Sequence, residues 1–175
     1  MAYDNKDRLK INATGQTIGL SVATFTRPAD TNAYTANDAV ANDTGAATLI
    51  DFGEVVDNVG DGGYITKAWL YTNQSTNTAR FRLWLFVTDA FGTPNDNASG
   101  LINLVRAAGT MGYIDFPACA AGSGVAFAFT YGSPLNFQTQ VAANTKHLFG
   151  YLQTLDAFTP VSGQLFGILL GIEKG

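Results

Sequence analysis

The chain has 175 residues, 46% hydrophobic and 14% charged, with 10 Lys and Arg against 14 Asp and Glu and a formal net charge of -4. That length suits one well-buried domain, and net acidity without any basic cluster excludes a nucleic-acid partner from the expected ones. A charged fraction well below the roughly 25% usual in globular proteins leaves a surface of Asn, Thr, Ser, Gln and Gly, which suits a subunit packed among neighbours and equally an extracellular module.

The opening MAYDNKDRLK lacks the apolar h-region of a signal peptide, so a protein made in the cytoplasm is expected. From Tyr3 to Ile11, five charges (Asp4, Lys6, Asp7, Arg8 and Lys10) stand beside only Tyr3, Leu9 and Ile11 as apolar groups. Such a segment has too little apolar surface to fold alone and reads as an arm over residues 1–18, preceding a single domain over 19–175. Its side chains Tyr3, Arg8, Lys10 and Ile11 are the ones suited to ordering against a partner, with a frayed terminus as the plainer alternative.

From there the chain alternates β-type runs with turn residues. GLSVATFT, ATLIDFGEVV, GGYITKAWLYTN, ARFRLWLFVTD, GYIDFPACA, VAFAFTYG, KHLFGYLQTL and QLFGILLGIEK give about eight strands. The connectors DNVGDGG, NQSTN, FGTPNDNASG, AAGSG and DAFTPVSG carry the Gly, Asn, Asp and Pro that reversals need. An all-β, antiparallel sandwich of two facing sheets follows. The exception is ASGLINLVRAAGTMG, where Leu101, Leu104, Val105 and Ala108 recur at helical spacing behind Ser99; one short helix at most is expected there. The longest apolar run, LFGILLGI from Leu165 to Ile172, is too short to span a bilayer, so no membrane partner is expected.

RFRLWLF poses the sharpest question, because Phe81, Leu83 and Leu85 fall on one strand face while Trp84 and Phe86 fall on the other. Something has to cover that second face. Trp69, Tyr71, Trp84 and Phe86 allow two readings: core or subunit-interface packing, which their apolar neighbours favour, or an aromatic platform on which sugar rings stack. Ala126 and Ala128, and Gly167 and Gly171, would leave room for rings across the sandwich.

Residues that carry chemistry are few. His147 is the sole histidine and reads as a strand-edge residue, no Gly-x-Ser-x-Gly elbow is present, and Glu54 and Glu173 form no carboxylate pair. Catalytic residues, cofactor ligands and metal ligands are therefore all expected to be none. DNVGDG from Asp57 to Gly62 has Val59 where a calcium loop needs oxygen and reads as a turn. Cys119, the only cysteine, permits no intrachain disulfide and reads as a small core residue. The Asn-x-Ser/Thr patterns at Asn12, Asn42, Asn73 and Asn97 read as by-products of Asn- and Thr-rich loops.

TRPADTNAYTANDAVAND from Thr26, then FRLWLFVTDAFGTPNDN and GYIDF, resemble in order and spacing a group of structural proteins of tailed bacteriophages and prophages, over roughly Leu20 to Ile172. Within that segment Pro28 stops strand pairing and Tyr34 folds back as an apolar anchor. The resemblance implies a jelly-roll-like sandwich and a non-enzymatic decoration, or cement, protein on the outside of the expanded head. It implies the major capsid protein as partner, a homotrimer, and an arm that helps attach it to the shell. A tail, neck or head-fibre component is the alternative within virions; a carbohydrate-binding adhesion module with a glycan ligand and, least favoured, a small hydrolase are those outside them.

Overall fold

A computed structural model describes residues 18–90, 92–103, 110–138 and 145–174. The arm residues Tyr3, Arg8, Lys10 and Ile11 lie outside the described residues, as do 104–109, where most of the helical spacing falls. The described residues contain no helix. Ser99, read as a helix cap, instead makes an antiparallel bridge with Asp38.

The described residues form ten strands: β1 (Ile18–Thr26), β2 (Ala39–Val40), β3 (Ile50–Glu54), β4 (Gly62–Thr72), β5 (Phe81–Phe86), β6 (Thr110–Phe116), β7 (Ala120–Ala121), β8 (Ala126–Gln138), β9 (His147–Thr154) and β10 (Leu165–Lys174). Eight of them answer to the eight alternating runs. The two-residue β2 and β7 are too short for alternation to register. One sheet has the order β1-β10-β4-β8-β7 and the other β2-β9-β5-β6, with β3 also on β9. All pairings are antiparallel.

Leaving β2 and β7 aside, the pairs β1·β10, β3·β9, β4·β8 and β5·β6 are successive rungs of one long hairpin. Rolling that hairpin brings β10 beside β4 and β9 beside β5, which closes the two sheets over each other as a jelly roll.

The facing sides make the core. Phe166, Ile168, Leu170 and Ile172 of β10 and Ile65, Ala68 and Leu70 of β4 meet Phe81, Leu83 and Leu85 of β5 and Leu148 and Leu152 of β9, all of them buried. Ring contacts run through it: Phe25 stacks on Phe166 at 5.5 Å, Phe166 meets Phe81 edge-on at 5.6 Å, and Phe81 meets Phe158 edge-on at 5.6 Å. Ala126 and Ala128 are inward and buried, as their small size suggested. Gly167 and Gly171 differ from expectation: they face outward and give room to Tyr71 and Lys67 of the adjacent strand, so they open no space across the sandwich. The parity of β10, apolar on both sides, hides which side is the core.

Cys119 is buried between exposed Ala118 and Ala120, and burial pushes its thiol up to about 11. It should resist labelling by a disulfide reagent at pH 8 in the native protein and react fully once urea unfolds it; equal rates in both states would contradict this burial. Gly150, on the inner side of β9, is a tighter constraint, because a Cβ there would lie 2.7 Å from the Trp84 carbonyl oxygen and 3.1 Å from Leu83 Cδ1. Gly150→Ala is expected to destabilise by about 1–3 kcal/mol through overpacking, read as a lower urea midpoint at unchanged slope.

Candidate functional site

The two outer faces of the sandwich are unlike. Over the second sheet, the outward side of β5 and β9 carries Arg82, Trp84 and Phe86 beside Gln153, Tyr151 and Phe149. Phe86 and Tyr151 are nevertheless buried and stack at 5.9 Å. Their cover comes from the chain itself. Residues 96–100, in the connection from β5 to β6, run beside residues 37–43: Ala39 N–H donates to the Ala98 carbonyl (2.7 Å), Asn97 N–H to that of Ala39 (2.9 Å), and Gly100 N–H to that of Asn37 (2.7 Å). The Tyr151 hydroxyl donates to the Gly100 carbonyl at 2.8 Å.

A buried ionic knot fixes this cover. Arg27, just past β1, donates from Nε to the Tyr34 hydroxyl (2.8 Å), from Nη1 to the Asp30 carbonyl (2.7 Å), and from Nη2 to the carboxylates of Asp30 (2.9 Å) and Asp96 (3.1 Å). Tyr34 donates in turn to Asp96 Oδ1 at 2.5 Å, and the same oxygen accepts from Ala41 N–H at 2.9 Å. The side chains of Arg27 and Asp96 have essentially no solvent access. Burial alone would lower the pKa of Arg27, but the hydrogen bonds to Asp30 and Tyr34 and the charge of Asp96 outweigh it and raise the pKa above its usual value. Burial and the bond to Asp96 push the Tyr34 phenol far above its usual range, so it stays protonated. The Tyr34 ring stacks on Phe158 at 4.8 Å.

Trp84 is half-buried at the margin of the cover. Its Nε1 donates to Gln153 Oε1 at 2.9 Å, and its ring meets Tyr113 edge-on at 5.0 Å. Arg82 lies 3.9 Å from the Tyr113 ring centroid and forms a two-pronged pair with Asp115 at 2.6 and 2.8 Å.

The first sheet's outer face has no such cover among the described residues. Strand register places three rows across it: Leu20, Gly171, Lys67 and Tyr131; Val22, Leu169, Trp69 and Phe129; Thr24, Gly167, Tyr71 and Phe127. Lys67 is the only charge in these rows, and its ammonium sits 5.0 Å from the Trp69 ring centroid. Phe127 and Phe129 stack at 5.6 Å, and Phe129 reaches Tyr131 at 6.0 Å. Phe129 is 47% and Tyr131 67% exposed. This is a flat, aromatic and nearly uncharged surface, suited to docking against another apolar surface or under sugar rings.

The four aromatic residues singled out from the sequence therefore do not share one platform. Trp69 and Tyr71 lie outward on the first sheet, and Trp84 and Phe86 outward on the second, because β4 and β5 belong to different sheets. The platform that exists joins Trp69 and Tyr71 to Phe127, Phe129 and Tyr131, a group visible only once β4 is known to pair with β8. His147 begins β9, where Nδ1 lies 2.9 and 3.0 Å from the Asp51 carboxylate oxygens and the ring stacks on Phe149 at 5.9 Å. No three His, Cys, Asp or Glu side chains converge in metal-binding fashion among the described residues. No protein-family model and no curated protein matches the chain.

Removing the Asp96 carboxylate would leave the buried Tyr34 hydroxyl without an acceptor and Arg27 without its buried counter-charge, with Asp30 as its remaining carboxylate partner. Asp96→Ala is expected to cost about 3–5 kcal/mol, measured by urea unfolding, and Tyr34→Phe about 2–4 kcal/mol, for two buried hydrogen bonds to charged partners lost together.

Proposed function

We propose that the protein is a non-enzymatic virion structural protein that decorates the outside of an expanded phage head, with the major capsid protein as its partner. The observation that carries this reading is the aromatic outer face of the first sheet, built on a jelly-roll sandwich and bearing one charge in three rows. Apolar rings held on a rigid sheet give a preformed contact surface that loses little freedom on docking. The resemblance of TRPADTNAYTANDAVAND, FRLWLFVTDAFGTPNDN and GYIDF to phage structural proteins supplies the partner class. A protein bound across junctions present only in the expanded shell stabilises that state by linkage, and repeated contacts make modest affinity per site sufficient. Trimeric assembly and attachment through the 1–18 arm belong to the same proposal and come from the resemblance.

The exposed rings Phe129 and Tyr131, with Trp69 beside them, also favour a second reading, a carbohydrate-binding module on an adhesion device, because stacked sugars need flat, accessible rings.

The test is co-sedimentation of the full chain with purified expanded and unexpanded heads of the phage or prophage that encodes it. Binding to expanded heads alone is expected, weakened at least about tenfold by Phe129→Ser with Tyr131→Ser and unaffected by His147→Ala. Absence of binding to heads together with capture on a glycan array would replace this reading by the second.

A further inference from the structure

A sheet edge presents unpaired backbone N–H and C=O groups, and proteins blunt such edges with charges, prolines, bulges or brevity. Three of the four sheet margins here are blunted. On the first sheet, β8 is interrupted where Gly132, Ser133 and Pro134 stand opposite the single Thr66, and its end is capped by the short β7. On the second, β6 carries Asp115 and a register shift opposite Leu85 and Phe86. The opposite margin is split into β2 and β3, with a register shift between Asp51 and Glu54 and a left-handed Gly53.

β1 has none of these devices. Its nine residues, IGLSVATFT, hold no charge and no proline and pair with β10 in unbroken register from Ile18↔Glu173 to Thr26↔Leu165. Its other side has no strand partner among the described residues. Leu20 and Val22 project from it onto the aromatic outer face, 59% and 55% exposed.

We propose that β1 is a pairing edge whose occupant is the β1 strand of a second copy, joined antiparallel across a two-fold axis. A strand edge is complementary to itself under such an axis, since its alternating donors and acceptors meet acceptors and donors. Charge favours the same occupant: two copies of an acidic chain meet here along a segment without charge, with Glu173 of β10 beside Ile18 at one end of it, while Asp51 and Glu54 of β3 are engaged by His147 and Lys146. Continuity argues likewise. With the axis at Ser21, the exposed Leu20 of each copy becomes the cross-strand neighbour of Val22 of the other, and the apolar rows run on from one copy into the other. The two first sheets become one continuous sheet with a doubled aromatic face. This inference does not rest on the proposed role in a virion. A two-fold seam makes every closed assembly even-numbered: a dimer by itself or, with the three-fold contacts of the trimer proposed above, a hexamer of two trimers, so a free trimer and this seam exclude each other.

The test is the mass of the full chain by analytical ultracentrifugation. The wild-type protein is expected at an even multiple of the chain mass. Leu20→Lys with Val22→Lys, both at exposed positions, is expected to halve that mass with an unchanged circular-dichroism spectrum, raising the dissociation constant at least about 100-fold. Mixing this variant with Leu20→Glu/Val22→Glu is expected to restore the wild-type mass as a one-to-one heteromer, with the β1 backbone amides protected from hydrogen exchange only in the assembled state, a protection that contact through the outer face would not give. A monomeric or odd-numbered wild-type protein, an unchanged mass in the Lys variant, or association that appears only after residues 1–17 are deleted would each overturn the proposal.

Discussion

A guanidinium without solvent access has to be neutralised where it stands, and the second sheet's cover is organised around that requirement. Arg27 leaves β1 pointing inward and is met by Tyr34, Asp30 and Asp96. Asp96 lies in the β5–β6 connection, 69 residues further along the chain, so the bond ties two long excursions to each other. Because a lone buried charge would cost several kcal/mol, neither excursion can lift away while the other stays. Held in this way, residues 37–43 and 96–100 exchange backbone hydrogen bonds and hold Tyr151, whose ring stacks on the buried Phe86. The apolar side of RFRLWLF that has no place in a two-layer sandwich is thus filled by a partial third layer of the same chain.

The eight principal strands were legible because alternation with period two is a local property, and Gly, Asn, Asp and Pro mark where it stops. Their grouping was less so. Nothing near Trp69 or Trp84 states that β4 and β5 part into different sheets, and β10, with Leu165, Leu169 and Ile168 on opposite sides, reads as apolar all round. The knot was invisible for a related reason. Arg27 and Asp96 sit in stretches rich in Asp, Asn, Thr and Pro that read as solvated loops, and only their distance in space reveals a pair. Of the candidate residues, Tyr34 was legible as an anchor through its isolation among polar neighbours, while its hydrogen bonds to Arg27 and Asp96 depended on the same unseen proximity. The contact surface was half legible: Trp69 and Tyr71 stood out, and Phe127, Phe129 and Tyr131 joined them only through the pairing of β4 with β8.

The sandwich is consequently two-sided in its chemistry. One outer face carries loops and is edged by the ion pair of Arg82 with Asp115; the other is, among the described residues, a bare sheet whose glycines, Gly167 and Gly171, leave room for Tyr71 and Lys67. Aromatic side chains depleted of charged neighbours are what the core of an interface is made of, with the polar groups left to its rim. Low overall charge adds to this by leaving little long-range repulsion between closely spaced copies.

The place of β10 has a further consequence, for the order in which the molecule can be made. It is the last of the described strands, yet it lies between β1, the first of them, and β4. Until it emerges from the ribosome, β1 has no strand partner among the described residues and β4 has only β8, so the first sheet exists as two separate pieces. Synthesis at about 5–20 residues per second then leaves β1 waiting for seconds, with its apolar side chains in water. Sheet closure in this topology has to wait for β10, and an uncharged strand has to be kept from wrong pairings for the whole of that interval.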